Sequence, residues 1–280
     1  MSNAAEVGVG AGVDMLAEAR AAVGEVVPPL ARLVRNISDP NAPAVGTWSA
    51  GEVAAHLTHV LAGDGDAIAG RPLPSVSVTR ADIAELTAQF LDDDPERDPT
   101  VLADRIEELG REFDAVAAAS RAASVDWLGG AVLPPSAVAC HLLEECLVHG
   151  HDIATATGQR WPIQRRHALL AIEGGALQII AALPPSAFIN QRKAGSFRAR
   201  VEVRLRGGGR NRLVIEDGSQ TIVPGGGRDV DAHISADPAA FLLVLMGRAA
   251  RWKPLVTGKV AVWGRRPWKL VRMFDVLSGP

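Results

Sequence analysis

Residues 136–158 read SAVACHLLEECLVHGHDIATATG, and this stretch decides how the first half of the chain folds. It follows Pro134-Pro135, opens at Ser136 and stops at Gly158, the residue type that most readily closes a helix in a left-handed turn. Between those marks the apolar residues recur at helical spacing, so one helix is predicted over the whole stretch. Positions four apart share a helix face. His141, Glu145 and His149 stand at i, i+4 and i+8 and form one polar line along it. Glu144 reads as a solvent-facing acid. Cys146, about 100° around the axis from Glu145, reads as a small buried residue rather than a nucleophile.

The sequence around it is also helical up to about residue 185. Residues 13–37 are apolar at helical spacing, with Pro28 and Pro29 expected to kink or end the pattern. Ser49 followed by Glu52 is a capping-box signature that opens a helix over 49–63. Thr79 with Asp82 opens a third helix, 99–123 form a fourth with Pro99 in its first turn, and 166–183 form a sixth. Short joins between such helices point to a bundle. His56 lies between Ala55 and Leu57, where a bundle helix turns inward. With the two helices side by side, His56, Glu145 and His149 can meet in the interior. Two imidazoles and a carboxylate make a catalytic zinc set with one position open for water, thiol or substrate. Nickel, iron and manganese suit the same ligand types. The competing reading is a hydrogen-bonded core histidine beside an ordinary Glu–His pair at i,i+4.

After residues 185–195 the pattern changes. FRARVEVRLRG (197–207) alternates with period two, as a half-buried strand does. RNRLVIEDG, SQTIVPGGG and DVDAHISA follow as short strands. Asp237-Pro238 opens a helix through AAFLLVLMGR, LVTGKVAVWGR returns to strand, and PWKLVRMFDVL closes as a helix. The expectation is an all-α bundle over 1–185 and an α+β domain over 186–280. The two GGGR runs, 207–210 and 225–228, lack phosphate-loop spacing and read as hairpin turns. Trp252, Trp263 and Trp268, interleaved with arginines and lysines, read chiefly as a solvated rim, with an anionic small-molecule surface as the alternative. Arg248 ends a predicted helix where its side chain could reach across to the bundle.

Composition narrows the field. The 280 residues exceed one ordinary domain. A formal net charge of −3 shows none of the basic excess of a nucleic-acid binder. No apolar run reaches the ~18 residues of a transmembrane helix, so no membrane partner is expected. The N-terminal MSNAAEVGVGAGVDM carries an acid and no positive n-region, and reads as a loose leader rather than a secretory signal. Two cysteines, Cys140 and Cys146, form neither a disulfide framework nor a metal knuckle, which fits a reduced, cytoplasmic protein.

TWSAGEVAAHLTHV (47–60) followed by ECLVHGHDIATATG (145–158) resembles the N-terminal domain of the mycothiol-dependent maleylpyruvate isomerase family, within the DinB-like four-helix bundles. DVDAHISADPAAFLLVLMGR and LVTGKVAVWGR are similar to that family's second, sterol-carrier-protein-2-like domain. The resemblance places the metal ligands on His56, Glu145 and His149. It implies a divalent metal, zinc foremost, and mycothiol as thiol cosubstrate acting on a small-molecule electrophile, by isomerisation of the maleylpyruvate type or by thiol S-transfer. Asp152 is then either a carboxylate orienting a metal-bound histidine or a surface acid of the helix. This chain departs from the family pattern at His151, where an aromatic residue is usual, and His59 and His141 are additional. The protein is expected as a monomer or homodimer. The alternative is a non-catalytic carrier of a small molecule or lipid with a structural metal site.

Overall fold

The computed structural model describes residues 9–75, 80–227 and 229–277. Most of the leader and Thr79 lie outside them. A helical N-terminal region is followed by a C-terminal region built around a five-stranded sheet.

Helix α1 spans Val9–Arg35 and does not end at Pro28-Pro29. The two prolines forfeit backbone bonds to the Gly24 and Glu25 carbonyls. Around them Val26, Val27, Leu30, Ala31 and Val34 are all buried, and that packing holds the helix through the defect. A two-strand hairpin, β1 Pro43–Val45 and β2 Trp48–Ser49, leads into α2, Ala50–Ile68. α3 covers Arg80–Asp93 and α4 Pro99–Ala119, the latter capped by Asp98. A second small hairpin, β3 Val125–Asp126 and β4 Val132–Leu133, precedes α5, Pro135–Thr157. α5 starts one residue before Ser136, because Pro135 fits the first helical position, and ends at Gly158 with φ +67°.

α1 and α2 each pack against both α4 and α5, giving a four-helix arrangement in which α5 also packs against the segment Leu170–Ala176. The predicted sixth helix is interrupted. It runs as α6 Arg165–Leu169, a π-helical turn Leu170–Ala176 and α7 Leu177–Ala182. Gly174 and Gly175 sit in that turn against α5, where a Cβ on Gly174 would lie 2.6 Å from the Cys140 sulfur. No helix among the described residues is long and apolar enough to cross a membrane.

A short α8, Gln191–Ala194, precedes the strands β5 Arg198–Leu205, β6 Arg210–Glu216, β7 Ser219–Pro224, β8 Ala232–Ala236 and β9 Val260–Trp263. The sheet order is β7-β6-β5-β8-β9, with β5 and β8 parallel and the other pairs antiparallel. Gly207–Gly209 make the β5–β6 hairpin as expected. Gly225–Gly227 do not make a hairpin: they carry the chain from edge strand β7 across to β8 on the far side of β5. Ala199, Val201 and Leu205 of β5 and Ala232, Ile234 and Ala236 of β8 are buried on one face, as period two requires. The remaining helices are α9 Pro238–Leu245, α10 Lys253–Val256 and α11 Lys269–Val276; α11 buries Leu270, Met273 and Val276.

Candidate metal centre

The start of α2 is fixed by its cap. Ser49 Oγ accepts from the Glu52 amide at 3.3 Å, and the Glu52 carboxylate accepts from the Ser49 amide at 2.7 Å. This reciprocal pair sets the helical register that turns His56 toward α5. The same hairpin places the Trp48 ring 5.1 Å from the His56 ring and 6.3 Å from that of His149.

On α5, Glu145 Oε2 lies 3.3 Å from His56 Nε2 and 3.2 Å from His149 Nε2. One donor atom from each of the three residues falls within 4.8 Å of the other two. Zinc bonds of ~2.0–2.2 Å in a tetrahedral set separate neighbouring donors by about 3.3 Å, which the two Glu145–histidine separations match. His149 is buried and the other two are half-buried. His151 lies outside this cluster, half-buried and about 200° around α5 from His149.

His149 is supported from behind. Its Nδ1 lies 3.0 Å from Asp152 Oδ2, a partner that keeps a proton on Nδ1, so that in the neutral ring the Nε2 lone pair faces the cluster. Arg248, from just beyond α9, donates to Asp152 through Nε at 3.1 Å and Nη2 at 3.0 Å, and through Nη1 to the Met246 carbonyl at 2.6 Å. The expected reach of Arg248 across to the bundle is thus present in the geometry, and it ends on Asp152. Asp152 is 4 % exposed and is no surface acid.

The sequence reading did not single out Asp64 or Trp127. Asp64 Oδ2 lies 2.8 Å from His141 Nδ1, its Oδ1 accepts from Trp127 Nε1 at 3.0 Å, and His141 Nε2 lies 3.4 Å from Glu145 Oε1. Asp64 stands eight residues after His56 on α2, mirroring the His141–His149 interval on α5; that spacing was the available signal. His59 instead faces Asp94, at 3.6 Å, and Phe90.

Electrostatics follow from this wiring. Burial opposes ionisation of Glu145, but contacts with His141, His149 and His56 outweigh it and hold the carboxyl well below the usual range. Burial likewise opposes protonation of His149, yet Asp152 and Glu145 raise it to about 9. His141 is raised well above its ordinary value because Asp64 overcomes burial. His56 is lowered, by burial above all. Glu144 corrects the sequence expectation. It is 6 % exposed rather than solvent-facing, since α5 is enclosed by α1, α2 and the π turn, and burial pushes its carboxyl up to about 8. Cys146 is fully buried, and burial raises its thiol.

The fold and the cluster together define a class: a helical region carrying two histidines and a carboxylate close enough together to hold a metal ion, joined to a sheet-based region that contacts it. Residues 16–154 match the family model described as the mycothiol maleylpyruvate isomerase N-terminal domain, and the chain belongs to that family. In overall fold it is similar to the crystal structure of a mycothiol-dependent maleylpyruvate isomerase, at 15 % identity and a TM-score of 0.51, covering 84 % of this chain and 90 % of that one. A mutant form of such an isomerase aligns at 12 % identity and a TM-score of 0.52, covering 88 % and 92 %. No curated protein matches the chain.

Proposed function

We propose that this protein is a metal-dependent enzyme that uses mycothiol as thiol cosubstrate, acting as an isomerase of the maleylpyruvate type or as a thiol S-transferase. The observation that carries the reading is the convergence of His56, Glu145 and His149 within a family-matched domain. On this reading residues 1–185 form a DinB-like bundle and 186–280 a sterol-carrier-protein-2-like domain.

His56, Glu145 and His149 would hold the ion, with zinc the best fit to the donors. When bound, a divalent metal there holds a thiol as thiolate near neutral pH or polarises a carbonyl. The chain's own residues do the positioning. Asp152 fixes the tautomer and ring plane of His149, and Arg248 fixes Asp152; both act through His149 as positioning residues. The Trp48 ring covers the two histidines on the hairpin side. No protein thiol is suited to the chemistry, because both cysteines are buried and burial raises Cys140 to about 12. The nucleophile is therefore the cosubstrate. Its thiolate adds to the activated alkene of the electrophile, leaving a carbon–carbon single bond free to rotate. Expulsion of the thiolate restores the double bond in the trans form and returns the thiol. An S-transferase would stop at carbon–sulfur bond formation.

The test is an assay of the zinc-loaded protein with mycothiol, using maleylpyruvate and a panel of alkenes and epoxides. Thiol-dependent turnover that is lost in His56→Ala supports the reading. Absence of turnover, with a lipid retained through purification, would favour the carrier.

A further inference from the structure

The Glu145 carboxylate is divided between two environments. Its Oε2 faces the two histidine Nε2 atoms, and its Oε1 faces His141 Nε2 at 3.4 Å. Behind His141 stands Asp64, 2.8 Å from Nδ1, itself held by the Trp127 indole N–H at 3.0 Å. The Trp127 ring packs edge-on against the His141 ring, with centroids 4.9 Å apart at 74°. An imidazole placed between two carboxylates satisfies both only by presenting an N–H to each. The row crosses from the β3–β4 hairpin through α2 to α5, and Asp64 and Trp127 within it are buried. A row enclosed in this way resists rotation of each side chain in it.

From this geometry we infer that Trp127, Asp64 and His141 form a positioning relay that occupies Glu145 Oε1 and restricts Glu145 to one-oxygen metal ligation. It complements the Arg248–Asp152 support of His149, so that two ligands on α5 are braced independently. The inference rests on the metal-binding reading above. Its chemical consequence is a coordination position kept open for the thiol or the electrophile, since a carboxylate free to turn could close over the ion with both oxygens. Outer hydrogen-bond partners of this kind typically control metal affinity by 10–100-fold.

The test uses the full-length protein, Co²⁺ as spectroscopic probe and Zn²⁺ competition against a chelator. His141→Asn keeps a donor toward Asp64 but is too short to reach Glu145. His141→Gln places an amide near the original Nε2. Asp64→Asn keeps an acceptor for Trp127 while removing the charge behind His141. The expected result is Zn²⁺ affinity about tenfold or more weaker in His141→Asn, recovered to within about threefold of wild type in His141→Gln, and intermediate in Asp64→Asn. In His141→Asn the Co²⁺ visible band should also weaken, as a second carboxylate oxygen raises the coordination number. Wild-type affinity and spectrum in a folded His141→Asn would overturn the relay and leave the metal reading standing. A wild-type protein that takes up no Co²⁺ or Zn²⁺ would overturn both.

Discussion

Arg248 and Asp152 are ninety-six residues apart and are joined by three hydrogen bonds between the guanidinium and a carboxylate that is itself bonded to His149. Through this pair the sheet-based region reaches a candidate metal ligand of the helical region. Arg248→Ala should therefore weaken Zn²⁺ binding by about tenfold or more, within the usual range for such supports. It should also lower stability, though by less than the ~3–5 kcal/mol of a fully buried broken pair, because the Arg248 side chain is 20 % exposed. Arg248→Lys should recover little, since an ammonium cannot reproduce the two-atom fork. Chelator competition and thermal unfolding measure the two effects separately.

Metal binding should release protons and tighten with rising pH. Burial works against a charged His149, but Asp152 and Glu145 raise it to about 9, so it is protonated at neutral pH before a metal binds. A raised value means the proton must leave for Nε2 to ligate. Affinity should thus climb from pH 6 towards pH 9 and level off above it. Calorimetry in buffers of different ionisation enthalpy reports the proton count directly. A pH-independent affinity across that range would contradict the coupling.

The convergence of His56, Glu145 and His149 was legible because helical periodicity alone puts His141, Glu145 and His149 in line, and because His56 falls on an inward face of a helix whose cap is written in the sequence. What was not legible required tertiary contacts. Asp64 and Trp127 acquire their roles only when α2, α5 and the β3–β4 hairpin meet. Glu144 reads as a surface acid until α5 is seen to be enclosed by α1, α2 and the π turn. The pairing of β8 with β5 rather than with β7 depends on a crossover that strand alternation does not encode, and so the second glycine run was misread as a hairpin. Pro28-Pro29 reads as a kink or an end from local propensity, and the helix continues through it because packing overrides propensity.

Gly150, between His149 and His151, should not tolerate a side chain. A Cβ there would lie 2.4 Å from the Trp161 ring, which is anchored by its indole N–H to the Leu147 carbonyl at 3.0 Å. Gly150→Ala should cost about 1–3 kcal/mol, as overpacking does. The expected readout is a lower Tm together with altered Trp fluorescence. An unchanged Tm would show that Trp161 can move aside freely.

Cys146→Ala should retain thiol-dependent activity. The side chain is fully buried and burial raises its thiol, so it is not a nucleophile at neutral pH. The substitution should cost only about 1 kcal/mol of packing. The native protein should also resist thiol-specific reagents until unfolded. Loss of turnover in a well-folded Cys146→Ala would assign the nucleophile to the chain.

Metal stoichiometry tests the central claim most directly. Elemental analysis of protein reconstituted with zinc and freed of excess should find about one ion per chain in the wild type and a large loss in both His56→Ala and Glu145→Gln, with helical content unchanged in each. A wild-type protein that retains no metal, or variants that bind as the wild type does, would contradict the assignment of His56, Glu145 and His149 as a metal centre.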